Sequence, residues 1–357
     1  MIRISEMVLL GHPDKFCDQV ADAIISECMA IDSDSYAQIE VSVWSDQVWL
    51  SGGICTRKPI SKSLKEIVVE TGIAIGYKPG SHIDANRYQI TDTVCHQVGD
   101  PTQWSRYVND QGIVIGWAGY DKKTHFLPPE HFLAHLMRDA LVASCSSGFL
   151  RNQGPDGKLI VRMREEGNFW TLEHILVTLQ QQTSLSFMDL CQTIALVVAE
   201  TYERLQNNDS RWIAPWRDVN LLINPNGPLI SGGSDGDNGQ TGRKLVVDYY
   251  GPRIPIGGGA LSGKHMGHID RVAAYAARSA ALAAVNSGAD ECLVRLTYAP
   301  NVLDPLDITY EMIGNGVRQS PTFFNHESMT ERFPGNLITR KLGSGNHFFD
   351  LSLPWNQ

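Results

Sequence analysis

The chain has 357 residues, 43% of them hydrophobic and 19% charged, with a formal net charge of −9. That length points to two or three domains and that composition to packed cores, and the acidic balance excludes a general nucleic-acid binder, which needs a basic face for phosphates. Seven widely spaced cysteines with no CxxC pair exclude a zinc ribbon or a disulfide framework and fit a reducing, cytoplasmic setting.

In chain order, MIRISEMVLL is too short and too polar for a secretory signal. After Gly11-His12-Pro13, the run from Asp14 to Ala30 sets Phe16, Val20, Ala23 and Ile24 on one helical face. Residues 39–44 and 47–52 read as strands that Ser45-Asp46 turns into a hairpin, and Ser61 is placed to cap a helix carrying Leu64, Ile67 and Val68. Residues 130–147 form a third expected element, a helix. Strands are expected at 158–164 and 174–180, and an apolar helix at 186–206. A strand at 244–250, an alanine-rich helix from Ile269 to Val285 with Gly288 as its stop, and a strand at 292–298 complete the series. Residues 313–357 are polar and poorly periodic and yield no assignment. No run approaches the ~20 apolar residues of a membrane span. Strands and helices mix throughout, which means α/β or α+β.

Three constellations carry chemistry. Gly11-His12-Pro13-Asp14-Lys15 opens a helix, whose N-terminus presents unpaired amides and partial positive charge to an anion, with Asp14 offering oxygen to a metal. Glycine is concentrated over 227–267. Within that stretch, Gly232 to Lys244 combines close-approaching backbone with Arg243 and Lys244, cations suited to phosphate. Gly258 to Lys264 has the GxxxxGK pattern of a Walker A loop, but His265 stands where the magnesium-binding hydroxyl belongs, so a P-loop NTPase is not expected. His131 and His135 have the spacing of HExxH, but Phe132 replaces its glutamate and no zinc site is expected. His96 and His125 are lone histidines, and Trp104, Trp117, Trp212 and Trp216 are expected in core or interface.

Taken together, these motifs resemble the methionine adenosyltransferase (S-adenosylmethionine synthetase) family, with this chain as a divergent member. The resemblance rests on GHPDK (Gly11–Lys15), GDxGxTGRK (Gly236–Lys244) followed by VVDxYG (Val246–Gly251), GGGAxSGK (Gly257–Lys264) and DRxAAYxAR (Asp270–Arg278). It is extended by Ser5-Glu6, Asn109 to Gly112, Pro155 to Lys158, and Ile223-Asn224-Pro225, and it loosens over the last fifty or so residues.

The resemblance implies three similar, intertwined α/β domains in pseudo-threefold arrangement. By segment these are 1–98 with GHPDK, a central 109–228, and 229–357 with the two glycine-rich motifs. It implies transfer of the adenosyl group from ATP to methionine sulfur, with triphosphate hydrolysed to pyrophosphate and phosphate. It implies two Mg²⁺ ions and K⁺, and a homodimer with shared active sites, or a tetramer. No nucleic-acid or membrane partner is expected.

Carried over position by position, His12 would donate to the bridging oxygen, and Lys158, Arg243, Lys244 and Lys264 would neutralise the phosphate chain. Asp14 and Asp270 would hold Mg²⁺, and Glu40 K⁺. Glu6, Asp110, Asp156 and Leu229 would lie around the nucleotide, with Gln97 and Asp237 around the amino acid. Departures cluster at the thioether. Ile54 replaces the glutamate that holds the ammonium, His268 replaces the lysine that helps hold the carboxylate, Leu229 replaces the adenine-stacking phenylalanine, and Pro300 stands for isoleucine. The segment between Gln97 and Asp110 is also short. Two other readings follow from these departures: an adenosyltransferase for a thioether with a different polar end, or a non-catalytic nucleotide-binding homologue.

Overall fold

The structure, a computed structural model, describes residues 1–182 and 185–357. The strands are β1 (Ile2–Val8), β2 (Tyr36–Trp44), β3 (Gln47–Thr56), β4 (Gln89–Asp92), β5 (Cys95–Val98), β6 (Gly112–Gly119), β7 (Gly157–Glu166), β8 (Phe169–Leu179), β9 (Asn220–Ile223), β10 (Gly239–Gln240), β11 (Ala289–Tyr298) and β12 (Asp307–Gly314). The helices are α1 (Pro13–Ile31), α2 (Leu64–Ile75), α3 (Thr102–Ser105), α4 (Pro129–Ser147), α5 (Phe187–Asn208), α6 (Leu245–Asp248), α7 (Ile269–Asn286) and α8 (His326–Arg332).

They build three mixed α/β layers. One sheet has the order β1-β7-β8-β9, a second β10-β2-β3-β4 with β5 also on β3, and a third β12-β11-β6. Helices α4 and α5 pack on the first, α1 on the second with α2 behind it, and α7 on the third. Each sheet borrows a strand from a distant stretch of chain: β1 pairs with β7, β10 with β2, and β6 with β11, all antiparallel.

Local chemistry accounts for the elements. The hairpin turns at Ser45, whose φ of 52° lets Trp44 pair with Gln47. Ser63, rather than Ser61, caps α2 in a reciprocal capping box with Glu66. Helix α7 ends at Ser287, one residue before Gly288. It lays Ala273, Ala274, Ala277 and Ala281, all buried, against the third sheet, and a side chain at Gly116 would collide with the Ala277 backbone. The expected strand at 244–250 is instead the short helix α6 and a turn. Residues Val247 to Gly251 are buried in succession rather than alternately, which a one-sided strand cannot do.

The unassigned C-terminal stretch is a run of short turns around α8 that buries Phe324, Met329, Phe333, Ile338, Leu342, Phe348 and Trp355. Trp355 stacks on Tyr275 of α7 at 3.8 Å. Among the described residues, no helix is long and apolar enough to cross a membrane.

Candidate active site

The site begins at α1. His12 is its N-cap: the backbone is extended, Nδ1 accepts the Asp14 N–H at 3.2 Å, and Pro13 takes the first helical position, where an N–H is dispensable. Because Nδ1 accepts, the ring proton is assigned to Nε2. Nε2 is buried and has no partner among the described residues. Burial first, then Lys244 and Lys158, hold the imidazole neutral, its pKa lowered to about 3.

Below it, Asp14, Asp18 and Asp22 recur at helical spacing and face the two glycine-rich loops. Asp14 accepts the N–H of Gln240 at 3.0 Å, Asp18 that of Gly242 at 2.9 Å, and Asp22 that of Gly263 at 3.0 Å. Each carboxylate also meets a cation: Lys244 at 2.5 Å, Lys15 at 2.8 Å and Arg271 at 2.5 Å, respectively. Lys15 bonds Asp248 as well. Arg243 lies 3.5 Å from Asp14. Burial works to raise the Asp14 pKa, but the hydrogen bonds from Lys244 and Gln240 outweigh it and keep the carboxylate below its usual range. At Gly263, φ is +82° and its carbonyl accepts from Ile39 at 2.7 Å, so this loop reaches Lys264 through a turn that favours glycine.

The construction recurs at α7. His268 is the N-cap, its Nδ1 accepts the Asp270 N–H at 3.2 Å, and Asp270 is ion-paired with Lys264. Burial, with Lys264 next, lowers the His268 pKa to about 3. Asp110, between β5 and β6, brings its carboxylate near, so that ligand atoms of Asp110, His268 and Asp270 all lie within 4.8 Å of one another. A cavity of 330 Å³ opens here, walled by Tyr36, Trp104, Tyr107 and His265 and containing Asp110. Glu40 stands on the outward face of β2 opposite Ser51, its pKa raised by burial against the pull of Lys264.

On the first sheet, Lys158 lies across from Val8 and Glu6 across from Ile160, both exposed. Asp156 accepts the N–H groups of Gly157 and Gly233, each at 2.7 Å, and burial nevertheless raises its pKa.

Other expected site residues stand apart. Ile54 faces inward opposite Ala37 and joins the core at 3% exposure, so it lies beneath the sheet rather than in the pocket. Gln97 is exposed on β5, Asp237 is exposed and accepts the Asn238 N–H, Leu229 is half-buried beside Gln180, and Pro300 is exposed after β11. None bonds to either cluster among the described residues. His131 bonds Ser5 at 3.0 Å and His135 stacks on Phe349 at 4.4 Å, both buried as structural groups.

Asp18, Asp22 and Asp248 escaped the sequence reading, as did the rings of Tyr36 and Tyr107, while Lys15, read as a donor to an anion at the helix N-terminus, is instead paired with Asp18 and Asp248, and Arg271 with Asp22. Two signals could have found the charged set: aspartates every fourth residue along an otherwise apolar helix, and a His-x-Asp triplet at both 12–14 and 268–270.

Residues 1–99 match the family model for the S-adenosylmethionine synthetase N-terminal domain, and residues 231–344 that for the C-terminal domain. The chain is 34% identical over 318 residues to S-adenosylmethionine synthase 1 of Rhodospirillum rubrum, spanning 87% of this chain and 80% of that one. It is 30% identical over 400 residues to the S-adenosylmethionine synthase of Prochlorococcus marinus, spanning 98% and 94%. A solved structure described as an unusual S-adenosylmethionine synthetase from Campylobacter jejuni matches with a TM-score of 0.86 at 24% identity, over 100% of this chain and 97% of that chain, a likeness of fold.

Proposed function

The chain belongs to the S-adenosylmethionine synthetase family and is an adenosyltransferase, and on that premise we propose that it joins the 5′ carbon of ATP to the sulfur of methionine and hydrolyses the released triphosphate to pyrophosphate and phosphate. The observation that carries this reading is His12, a buried neutral imidazole whose Nε2–H has no partner among the described residues while Lys244 and Lys158 act on it. As sulfur attacks C5′ and the C5′–O bond breaks, negative charge develops on the departing oxygen. A preorganised donor aimed there contributes about 3–4 kcal/mol. Arg243, Lys244, Lys158 and Lys264 neutralise the chain that leaves.

The family uses metal ions. Asp14 and Asp270 offer hard oxygen donors that suit Mg²⁺, and Glu40 a carboxylate for K⁺. Bound there, the divalent ions would neutralise phosphate oxygens. The outward sheet faces expose Ile2, Ile4, Trp44, Trp49 and Leu222, which supports a homodimer that covers them and shares its sites.

With Ile54 in the core, the methionine ammonium is received by the cavity of Tyr36, Trp104 and Tyr107, where aromatic faces and the Asp110 carboxylate suit a cation. A neutral His268 offers the carboxylate no charge, which favours a second reading: a thioether that keeps the amino group and lacks the carboxylate. The test is to incubate the protein with ATP, Mg²⁺, K⁺ and methionine or its deaminated or decarboxylated analogue, and to identify adenosylated products by mass. Preference for methionine by about a hundredfold or more over both analogues supports the first reading. Equal or faster use of the decarboxylated compound supports the second, and no adenosylated product from any thioether overturns both.

A further inference from the structure

A cavity of 610 Å³ is walled by Leu9, Leu10 and Pro155, and no residue of the His12 or His268 clusters lines it. The chain carries 39 Asp and Glu against 30 Lys and Arg, yet among the described residues no carboxylate lines this cavity, while Lys78 and Arg151 do. Neither cation has an ion-pair partner among the described residues. Gln153 also lines the cavity and is only 7% exposed. Its Oε1 accepts the Gln182 N–H at 2.7 Å, and its Nε2 has no acceptor among the described residues. Ile75 and Val142 add apolar surface.

One effect opposes an anion here: α2 and α4 both end at this cavity, and a helix C-terminus carries roughly half a unit of negative charge. Several last-turn carbonyls are already satisfied, however. Gly72 and Ile73 accept from the Gly76 N–H, Ser144 from Gly148, and Val142 from the Ser146 hydroxyl. Two whole, unpaired positive charges outweigh these screened fractions.

We propose that this cavity is a second anion site, taking a small phosphate-bearing ligand with Lys78 and Arg151 on its phosphoryl oxygens and Gln153 Nε2 donating between them. A phosphoryl group, more highly charged than a carboxylate and rich in acceptor oxygens, matches two cations and an amide donor. Inorganic pyrophosphate and a nucleoside monophosphate share that chemistry. An occupant would bear on the catalytic loop, because Pro155 accepts the Gly11 N–H at 3.2 Å, Tyr77 bonds the Gly11 carbonyl, and Gln19 bonds the Leu10 carbonyl at 2.8 Å.

The test uses the full chain with its active sites saturated by a non-hydrolysable ATP analogue and Mg²⁺, so that added phosphate cannot act through them. Pyrophosphate and AMP are titrated separately by calorimetry. The expected result is one additional site per chain for at least one probe, weakened by about tenfold or more in Arg151→Glu and in Lys78→Glu. Both side chains are exposed, so these variants should keep their fold and turnover.

The location is read from hydrogen exchange: the bound probe should slow exchange over residues 151–154, which line the cavity, and leave that around the exposed Cys95 unchanged. AMP binding without pyrophosphate binding assigns the site to nucleotides, and the reverse to inorganic phosphates. No heat from either probe, or binding that survives in both variants, overturns the proposal.

Discussion

At His12, the bond from the Asp14 N–H to Nδ1 leaves Nε2 as the protonated nitrogen, and burial keeps the ring neutral near pH 7. The residue is therefore a hydrogen-bond donor rather than a base. His12→Ala should lower turnover by about 10²–10³-fold while ATP affinity stays within about tenfold, since the donor acts mainly on charge that develops in the transition state. Single-turnover rates beside equilibrium ATP binding check this, and a rate loss under about fivefold removes the role. His268 permits the converse experiment. His268→Lys restores the family's cation at the thioether end, and a regained charge-assisted hydrogen bond is worth about 1.5–3 kcal/mol, so the KM for methionine should fall about tenfold or more with that for ATP little changed. The variant forfeits the α7 cap, which costs about 1 kcal/mol and should appear as a lower melting temperature.

Among the elements, α1 organises the site through its acidic stripe. Asp18 holds the Gly242 N–H and neutralises the buried Lys15, and Gly242 immediately precedes Arg243 and Lys244. In Asp18→Asn the amide oxygen can still accept from Gly242, but one of the two carboxylates beside Lys15 is gone and Asp248 alone remains. Unfolding free energy should fall by about 1–3 kcal/mol and the KM for ATP should rise, both measurable on one preparation by urea titration and steady-state kinetics. The long helices were legible because apolar spacing and polar caps agree along them, as at α1 and α7. β1 was not, because its apolar Ile2 and Ile4 face outward while Arg3 and Ser5 turn inward to Glu165 and His131. In β6, glycines at 112, 116 and 119 hid the strand, and the close approach of α7 explains the one at 116. The reactive clusters were legible as motifs, but the carboxylates that hold their loops were not read, because the four-residue spacing of Asp14, Asp18 and Asp22 also fits a solvated helix face until their loop partners, more than two hundred residues away, are known.

Across the whole molecule, acid stability follows from buried histidines. His12, His131, His265 and His268 have pKa values lowered to about 3, and His135 and His347 are well below the usual value, each chiefly by burial. The unfolded chain takes up these protons near pH 6.5 and the folded chain does not, so the stability they contribute is fully present above that pH and declines as pH falls. One unit lower, each site costs about 1.4 kcal/mol. Asp248, raised to about 7 by burial against the pull of Lys15, has the opposite sign and gains as pH falls from 7. Burial raises the pKa values of Asp22, Glu40, Glu130 and Asp156 in the same sense as Asp248, and lowers those of His125 and His326 with the other histidines. The imidazoles, whose unfolded pKa lies inside the window, dominate it, so the urea midpoint should drop from about pH 7 to about pH 5.5. A flat or rising profile would mean that these rings are protonated in the fold. The C-terminal stretch, opaque in sequence, contributes two of these histidines, His326 and His347. Its apolar residues are spaced for short turns over α1 and α7, a pattern with no period to detect.

The borrowed strands set an order on assembly. Ile2 finds its partner at Arg164, Val43 at Gly239, and Gly112 at Tyr298. A chain growing from its N-terminus therefore cannot complete any of the three sheets early, and the second and third close only when most of the polypeptide exists. Until then β2 and β6 each present an unpaired edge, the kind of surface that recruits other chains, and closure over such separations is slow. No contiguous third of this molecule contains a whole sheet. A fragment cut at the limits of the matching family domains would carry motifs without the strands that hold them, and nascent chains of this length should depend on protection until residue 298 has emerged.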